Sequence, residues 1–367
     1  MNLEKINLYH LRMPLRSPFE TSFGRIKTRE CLLLEGFSDG VIGYGECVAD
    51  RDPGYSYETS VTALHILRDY LIPSVLEKNI KSAQEMQSLV QFVRGHPMAK
   101  AGLEMVFWDI KGKMENASLS QLFGGGVEKV PVGVSVGIQE SPLELVNIVT
   151  SYLSDGYGRI KIKIKPGRDI ADIKAIRSEF PDLPMQVDAN SAYTLETSEV
   201  FGEIDRFGLI LIEQPLAEDD LWDHKLLQGK LNTPICLDES IISPRHARQA
   251  LEMQACRIIN IKAGRLGGLS QAVEVHNIGY SQNIPVWCGG MLETGVGRAA
   301  NLALATLPGF TLPGDISATD RYYHRDITHQ VFTLNPDSTI NVPVEPGLGI
   351  EIDHKAVNQY TLSKISI

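Results

Sequence analysis

The acids Asp188, Glu213 and Asp238 lie 25 residues apart, and the same step leads back from Asp188 to Lys163. A step of 24 leads on from Asp238 to Lys262. Each of these residues sits at the end of a short apolar run: RIKIKIK, PMQVDAN, LILIEQP, PICLDES and RIINIKAG. If the runs are neighbouring strands about 4.8 Å apart, three carboxylates crowd together. Three uncompensated negative charges at that spacing are strongly unfavourable. A divalent cation resolves the repulsion, and all-oxygen ligands point to Mg²⁺, with Mn²⁺ able to substitute, rather than to Zn²⁺. An Asp in DANS or DES could instead cap a following helix. Three acids in one phase, with a lysine run on each side, is not a pattern that capping produces.

The lysines complete the chemistry. Lys163 and Lys262 approach the acids from opposite sides. Two lysines facing each other across a carboxylate bound to a cation suit removal of a proton from the carbon beside that carboxylate, with the cation stabilising the enediolate. A free lysine, with a pKa of about 10.4, is mostly protonated at neutral pH. A cationic neighbour and a nearby metal lower that value. Lys161, two residues before Lys163 on the same strand face and about 6–7 Å away, is such a neighbour. Arg265, three residues past Lys262, is placed to act similarly on the other side. Period two alone makes Lys161, Lys163 and Lys165 equivalent. The 25-residue step singles out Lys163 as the base and leaves Lys165 as a rim charge.

The elements that must position these groups follow from the texture of the chain. Its 367 residues suggest two domains, or one barrel with an attached piece. Residues 1–50 alternate as strands (INLYHLRMPL, CLLLEGF, VIGYGEC), with the polar stretch RSPFETSFGRIKTRE between the first two reading as an irregular lid loop. Residues 57–123 carry apolar residues at helical spacing. Then eight short apolar runs, VPVGVSVG through FTLPGD, alternate with helical stretches, which predicts a parallel β/α barrel. Residues at the C-terminal strand ends of such a barrel converge on one mouth. The expected architecture is a (β/α)7β-type TIM barrel over 126–320, with an α+β capping domain from 1–125 on which 321–367 packs back. Trp108 and Trp222 lie in helical patterns and read as packing residues.

The net charge of −10 argues against nucleic acid and anionic membranes as partners. No run approaches the roughly 20 apolar residues of a membrane span, and the N-terminus reads as a strand, not a signal peptide. Five cysteines without CxxC spacing suit reduced, buried thiols in a cytoplasmic protein. The nine histidines form no HxxxH or HExxH pair. GVGRAA (295–300), with Asp315 eighteen residues past Gly297, matches a dinucleotide fingerprint but falls inside the barrel. Its backbone N–H groups are instead placed to meet an anionic substrate tail.

The motifs KIK (161–163), VDAN (187–190), IEQP (212–215), LDES (237–240) and NIKAGRLGG (260–268) resemble the enolase superfamily, in its muconate-lactonizing-enzyme-like subgroup. The resemblance runs over essentially the whole chain. SPFETSFG, PVGVSVGI, IKIKIKPG and GGMLETGVGRAAN look most like the o-succinylbenzoate synthase / N-succinylamino acid racemase branch.

That resemblance implies Lys163 and Lys262 as an acid/base pair and Asp188, Glu213 and Asp238 as Mg²⁺ ligands. It implies that Lys161 and Asn190 hold the substrate carboxylate or tune Lys163, and that Glu239 orients its neighbours. Ser135 is expected to face the substrate, Phe19 and Phe23 to sit on the closing loop, and Gly289, Gly290 and Met291 to lie around the ligand. The branch often has an acid where Lys165 stands, so this chain carries an extra positive charge there. The implied activity is o-succinylbenzoate synthesis by syn-dehydration of a cyclohexadiene carboxylate, a step of menaquinone biosynthesis. The alternative is N-succinylamino acid (N-acylamino acid) racemisation by the same two lysines. More distant readings are a metal-free Schiff-base aldolase and a non-catalytic binding barrel. A small-molecule carboxylate substrate and a homo-oligomer are expected.

Overall fold

The structure is a computed structural model describing residues 1–367. The alternating N-terminal residues form β1 (Lys5–Thr21), β2 (Gly24–Ser38) and β3 (Val41–Cys47), an antiparallel sheet. Successive side chains point to opposite faces of a strand, so this sheet is apolar on both. Leu8, Leu32 and Leu34 pack with Val106, Phe107 and Ile110 of the helix Pro97–Glu115. Tyr9, Leu11 and Leu33 join the larger core that runs through the rest of the molecule.

RSPFETSFGRIKTRE is not an irregular loop. It is the far end of one long hairpin, in which Phe19, Glu20 and Thr21 pair with Ile26, Arg25 and Gly24. The ladder shifts register between Pro14 and Phe19, a stretch in which Pro14 and Pro18 have no N–H to contribute.

The chain then turns to β4 (Lys129–Pro131), followed by seven parallel strands: β5 (Val134–Val136), β6 (Ile160–Lys163), β7 (Met185–Asp188), β8 (Ile212–Glu213), β9 (Ile235–Leu237), β10 (Ile258–Ile261) and β11 (Val286–Cys288). They hydrogen-bond side by side in chain order. Helices such as Pro142–Ser154, Ile170–Glu179 and Leu269–Ser281 connect them. These helices cover the sheet, which is why its strands read as apolar runs.

The eighth apolar run, FTLPGD, does not form a strand. It makes isolated parallel bridges, Phe310 to Val286 and Gly314 to Val132. The Asp315 N–H also donates to the Cys288 carbonyl and the Gly133 N–H to the Gly314 carbonyl, each at 2.8 Å. Pro313 has no N–H to extend a ladder, so the segment touches both edges of the sheet without pairing along either.

Beyond it, β12 (Thr339–Asn341) pairs with β4, and β13 (Thr361–Ser366) lies antiparallel on β1. The helix His354–Tyr360 precedes β13, with the Asp353 carboxylate accepting from the Lys355 and Ala356 N–H groups. Of the two tryptophans read as packing residues, Trp108 is half-buried between Phe107 and Phe123. Trp222 is instead exposed, with the Lys225 ammonium over its ring. No helix is long and apolar enough to cross a membrane.

Candidate active site

The parallel ladders set the vertical positions of the candidate residues. Lys163 pairs with Asp188, Asp188 with Glu213, and Glu213 with Cys236. Asp238 therefore stands two residues further along its strand. Cys236 in turn pairs with Ile258, so Lys262 stands four residues further along. The even sequence spacing thus becomes a slant across the sheet, as strand tilt produces, and every offset is even, so the side chains keep to one face. Ser135 pairs with Lys161, two residues below Lys163. The helices after β7 and β9 begin at Val200 and Pro244 and are preceded by Glu199 and Ser243, so neither Asp188 nor Asp238 is a helix cap.

The acids and bases are buried together, and each carboxylate is met by a cation. Lys163 Nζ lies 2.5 Å from Asp188 Oδ2 and donates to Asn190 Oδ1 at 2.8 Å. Lys161 Nζ reaches Asp315 Oδ2 (2.6 Å), Glu213 Oε2 (2.8 Å) and Asp188 Oδ2 (3.2 Å). Lys262 Nζ lies 2.6 Å from Asp238 Oδ2 and 3.2 Å from the Tyr55 hydroxyl. Asn260 Nδ2 donates to Glu213 Oε1 at 2.6 Å. Asn190 adopts a left-handed backbone (φ 42°), which Asn tolerates better than most residues. From there its Nδ2 donates to Glu239 Oε1 at 2.9 Å.

These partners separate the lysines. Burial lowers the pKa of Lys163 below the ordinary lysine value, and with the Lys161 and Lys262 ammoniums acting the same way, Asp188 and Glu213 do not offset it. Burial also pulls on Lys161, but Asp315, Glu213 and Asp188 outweigh it and hold its proton tightly. Lys262 is likewise raised: burial opposes, while Tyr55, Glu213, Glu239 and Asp188 favour the ammonium. Glu239 is pushed up to about 7 by burial and then by Asp188.

The three expected cation ligands do not close into a cluster of three or more His, Cys, Asp or Glu groups. The reason is visible in their partners: Lys161 spans Asp188 and Glu213, while Lys262 and Arg265 turn Asp238 toward themselves. The donor set is nonetheless hard oxygen, fully buried, and on consecutive strands. A cation, the Lys161 ammonium, already bridges two of its members.

Arg265 differs from its expected role. Its guanidinium contacts Asp238 and donates to the Ile241 carbonyl (2.7 Å) and the Asn260 carbonyl (2.5 Å). It does not leave Lys262 with a lowered pKa.

Phe19, Phe23, Ser135, Gly290 and Met291 line one cavity with Lys161, Lys163, Asn190 and Lys262. Gly289 acts from behind: a Cβ there would come within 2.7 Å of Lys262 Cε. The hairpin tip docks over this mouth. The Ile138 N–H donates to the Glu20 carbonyl (2.9 Å), and Ser22 Oγ donates to the Asn190 carbonyl (3.0 Å). Lys165 lies outside the cavity and pairs with Glu20 at 3.3 Å.

The turn at GVGRAA is not free to bind an anion. Glu46 accepts from the Thr294 and Gly297 N–H groups, and Asp326 accepts from that of Gly295.

Sequence reasoning missed Tyr55, Asn260 and Arg159, and placed Asp315 in the wrong context. Asn260 and Arg159 had a signal: each stands two residues before a lysine already singled out, on the same strand face. Tyr55, in the loop DPGYSYE, had none.

Two family models match the chain. Residues 5–124 match the mandelate racemase / muconate lactonizing enzyme N-terminal domain, and residues 144–356 the enolase C-terminal domain-like family. The chain is 47% identical to an o-succinylbenzoate synthase of Geobacillus stearothermophilus, over 98% of this chain and 96% of that one. It is 46% identical to an N-succinylamino acid racemase of Amycolatopsis sp over the full length of both. An enolase-superfamily crystal structure from Listeria innocua superposes with a TM-score of 0.96 at 41% identity, covering 100% of this chain and 99% of that one.

Proposed function

The chain belongs to the mandelate racemase / muconate lactonizing enzyme family of the enolase superfamily, and we propose that it is an o-succinylbenzoate synthase, a lyase that dehydrates a cyclohexadiene carboxylate. Enzymes of this family use a divalent cation. In our reading the cation is Mg²⁺ and its ligands are Asp188, Glu213 and Asp238. When bound, it supplies positive charge that offsets the negative charge building on the substrate carboxylate. We read the catalytic part as a (β/α)7β barrel over 126–320 beneath a cap of 1–125 and 321–367.

One observation carries the assignment of roles: of the three buried lysines on the mouth, Lys161 is tied to three carboxylates and Lys262 to Asp238 and the Tyr55 hydroxyl, whereas Lys163 meets one carboxylate and the Asn190 amide oxygen, and burial lowers its pKa. Charge matching points the same way. With Glu239 ionised, as a divalent cation beside it would favour, the buried cations Arg159, Lys161, Lys163, Lys262 and Arg265 balance one for one against Asp188, Glu213, Asp238, Glu239 and Asp315. A divalent cation and one substrate carboxylate together add a single positive charge. Loss of the Lys163 proton restores neutrality and leaves an amine ready to act as base.

Lys163 Nζ then takes the α-proton, and the electron pair spreads into the carboxylate as an enediolate. The hydroxyl leaves from the same face, so the Lys163 ammonium is positioned to return that proton to it, releasing water and the aromatic product. Lys262, held as an ammonium by Asp238, stabilises the negative charge from the other side. Asn190 fixes the Lys163 amine, and Glu239 fixes Asn190.

A second reading is favoured by the placement of Lys262 in the same cavity, four strands away from Lys163. With an N-succinylamino acid, one lysine removes the α-proton and the other returns one to the opposite face.

Incubation with Mg²⁺ and the cyclohexadiene precursor, with an N-succinylamino acid in D₂O run in parallel, tests both. Dehydration with the larger kcat/KM is expected, together with α-deuteration in the second sample. Deuteration without dehydration would transfer the assignment to the racemase. Turnover that survives EDTA would overturn the metal reading.

A further inference from the structure

Beneath the mouth lies a second layer of buried charge. Arg159 Nη1 lies 2.7 Å from Asp315 Oδ1, and its Nη2 donates to the Pro313 carbonyl at 2.7 Å. The other Asp315 oxygen, Oδ2, lies 2.6 Å from Lys161 Nζ. The Trp287 ring centroid is 4.9 Å from the same ammonium. Trp287 itself is fully buried, and its Nε1–H points at Cys236 Sγ (3.2 Å). The backbone leaves room for this layer: a Cβ on Gly133 would sit 2.4 Å from the Arg159 guanidinium.

Asp315 therefore competes for Lys161. An ammonium has three donor hydrogens, and here they face three carboxylates, of which Asp315 is the nearest, ahead of Glu213 (2.8 Å) and Asp188 (3.2 Å). If Asp315 lost its charge, the ammonium would have only Asp188 and Glu213 to pair with. In a dry interior such pairs are strong, and a divalent cation would have to displace the lysine from both. Arg159 keeps the Asp315 carboxylate aimed upward by holding its second oxygen.

We propose that Asp315 is a positioning residue for the cation site: by sharing the Lys161 ammonium it weakens that ammonium's hold on Asp188 and Glu213, which a divalent cation must displace. This rests on the reading of Asp188, Glu213 and Asp238 as its ligands. The trait to measure is cation affinity in the absence of substrate, by Mn²⁺ electron paramagnetic resonance on the full chain.

Asp315→Asn should weaken Mn²⁺ binding about tenfold, equivalent to about 1.4 kcal/mol. In a Lys161→Ala background the same substitution should have little further effect, because Asp315 acts through Lys161. Wild-type affinity in Asp315→Asn overturns the proposal. So does an equal loss with and without Lys161, which would mark a general loss of negative charge. If Asp315→Asn leaves Arg159 unpaired and does not fold, Arg159→Gln with Asp315→Asn removes both members of the pair, and the same Lys161-dependent loss is expected. A wild-type protein that binds Mn²⁺ no better than Asp188→Ala overturns the ligand reading, and the role of Asp315 falls with it.

Discussion

The N-terminal sheet and the parallel sheet both bury carboxylates, but they give them different partners. Near the cap, Glu46 accepts from Thr294 and Gly297 N–H groups, Glu58 from those of Met98 and Ala99, and Asp109 from those of Tyr44 and Leu348 with the Lys113 ammonium beside it, so each keeps two backbone donors. In the parallel sheet, Asp188, Glu213 and Asp238 face lysine ammoniums and an arginine. A backbone amide cannot leave its acceptor without unfolding the element that carries it. A lysine on a four-carbon stem can. The first set of acids is therefore fixed and serves the fold. On the reading proposed above, the second set can exchange its partners for a metal and a substrate. Burial and charge alone do not distinguish a catalytic acid from a structural one; the mobility of what it pairs with does.

The largest test of this contrast is on the exchangeable side. Lys163→Ala should lower kcat/KM for dehydration by 10²–10⁴-fold, the usual contribution of a positioned general base. Its thermal midpoint should stay close to wild type, because the alanine leaves Asp188 with the Asn190 N–H and the Lys161 ammonium. Steady-state kinetics and calorimetry on one preparation read both. A variant that loses several degrees and keeps its turnover would reverse the contrast.

Glu46 tests the fixed side and should act on stability. Glu46→Ala strips the acceptor from the Thr294 and Gly297 N–H groups, a loss of about 2–3 kcal/mol, with kcat/KM near wild type. Glu46→Gln adds a pH signature. Burial, reinforced by Glu293, pushes the Glu46 carboxyl up to about 7, against the pull of its donors. A raised carboxyl binds its proton more readily in the folded state. Its stabilisation is therefore fully present below the ordinary glutamate pKa, falls as pH rises through about 7, and stays low above that. The total is about 3 kcal/mol. The stability difference between wild type and Glu46→Gln, followed by urea unfolding from pH 4 to 8, should fall across this window. A flat difference would mean that the Glu46 carboxyl titrates alike in the folded and unfolded chain, its donors cancelling the effect of burial, and a rise with pH would mean that the donors dominate.

The same distinction explains what the sequence made legible. The βα repeat puts one strand at each 25-residue step, so the register of Lys163, Asp188 and Glu213 could be read from spacing alone. Strand ends that rely on local hydrogen bonds were harder. FTLPGD has the composition of a strand, and its proline decides otherwise. The hairpin at Phe19 and Phe23 was hidden because Pro14 and Pro18 look like loop residues while the ladder resumes beyond them. Tyr55 and Asp315 were hidden for another reason. Their contacts to Lys262 and Lys161 cross 207 and 154 positions of chain, and no periodicity links residues so far apart. GVGRAA has the spacing of an anion site, but Glu46, almost 250 residues upstream, already occupies it.

Lys165 should give the smallest effect, and it sharpens the contrast within one strand. Lys161, Lys163 and Lys165 share the period of two, yet only the first two are buried. Lys165 is about one-third exposed, and its one partner, Glu20 at 3.3 Å, is also partly exposed. An ion pair in that setting contributes roughly 0–1 kcal/mol. It also sits on the hairpin that covers the mouth, where the Ile138–Glu20 and Ser22–Asn190 hydrogen bonds hold the tip without it. Lys165→Ala should therefore keep kcat within about threefold of wild type, with any loss in KM and shrinking as salt screens the pair. If instead kcat fell as far as in Lys163→Ala, the rim charge would belong to the exchangeable set, and burial would no longer mark which lysine of IKIKIK does the chemistry.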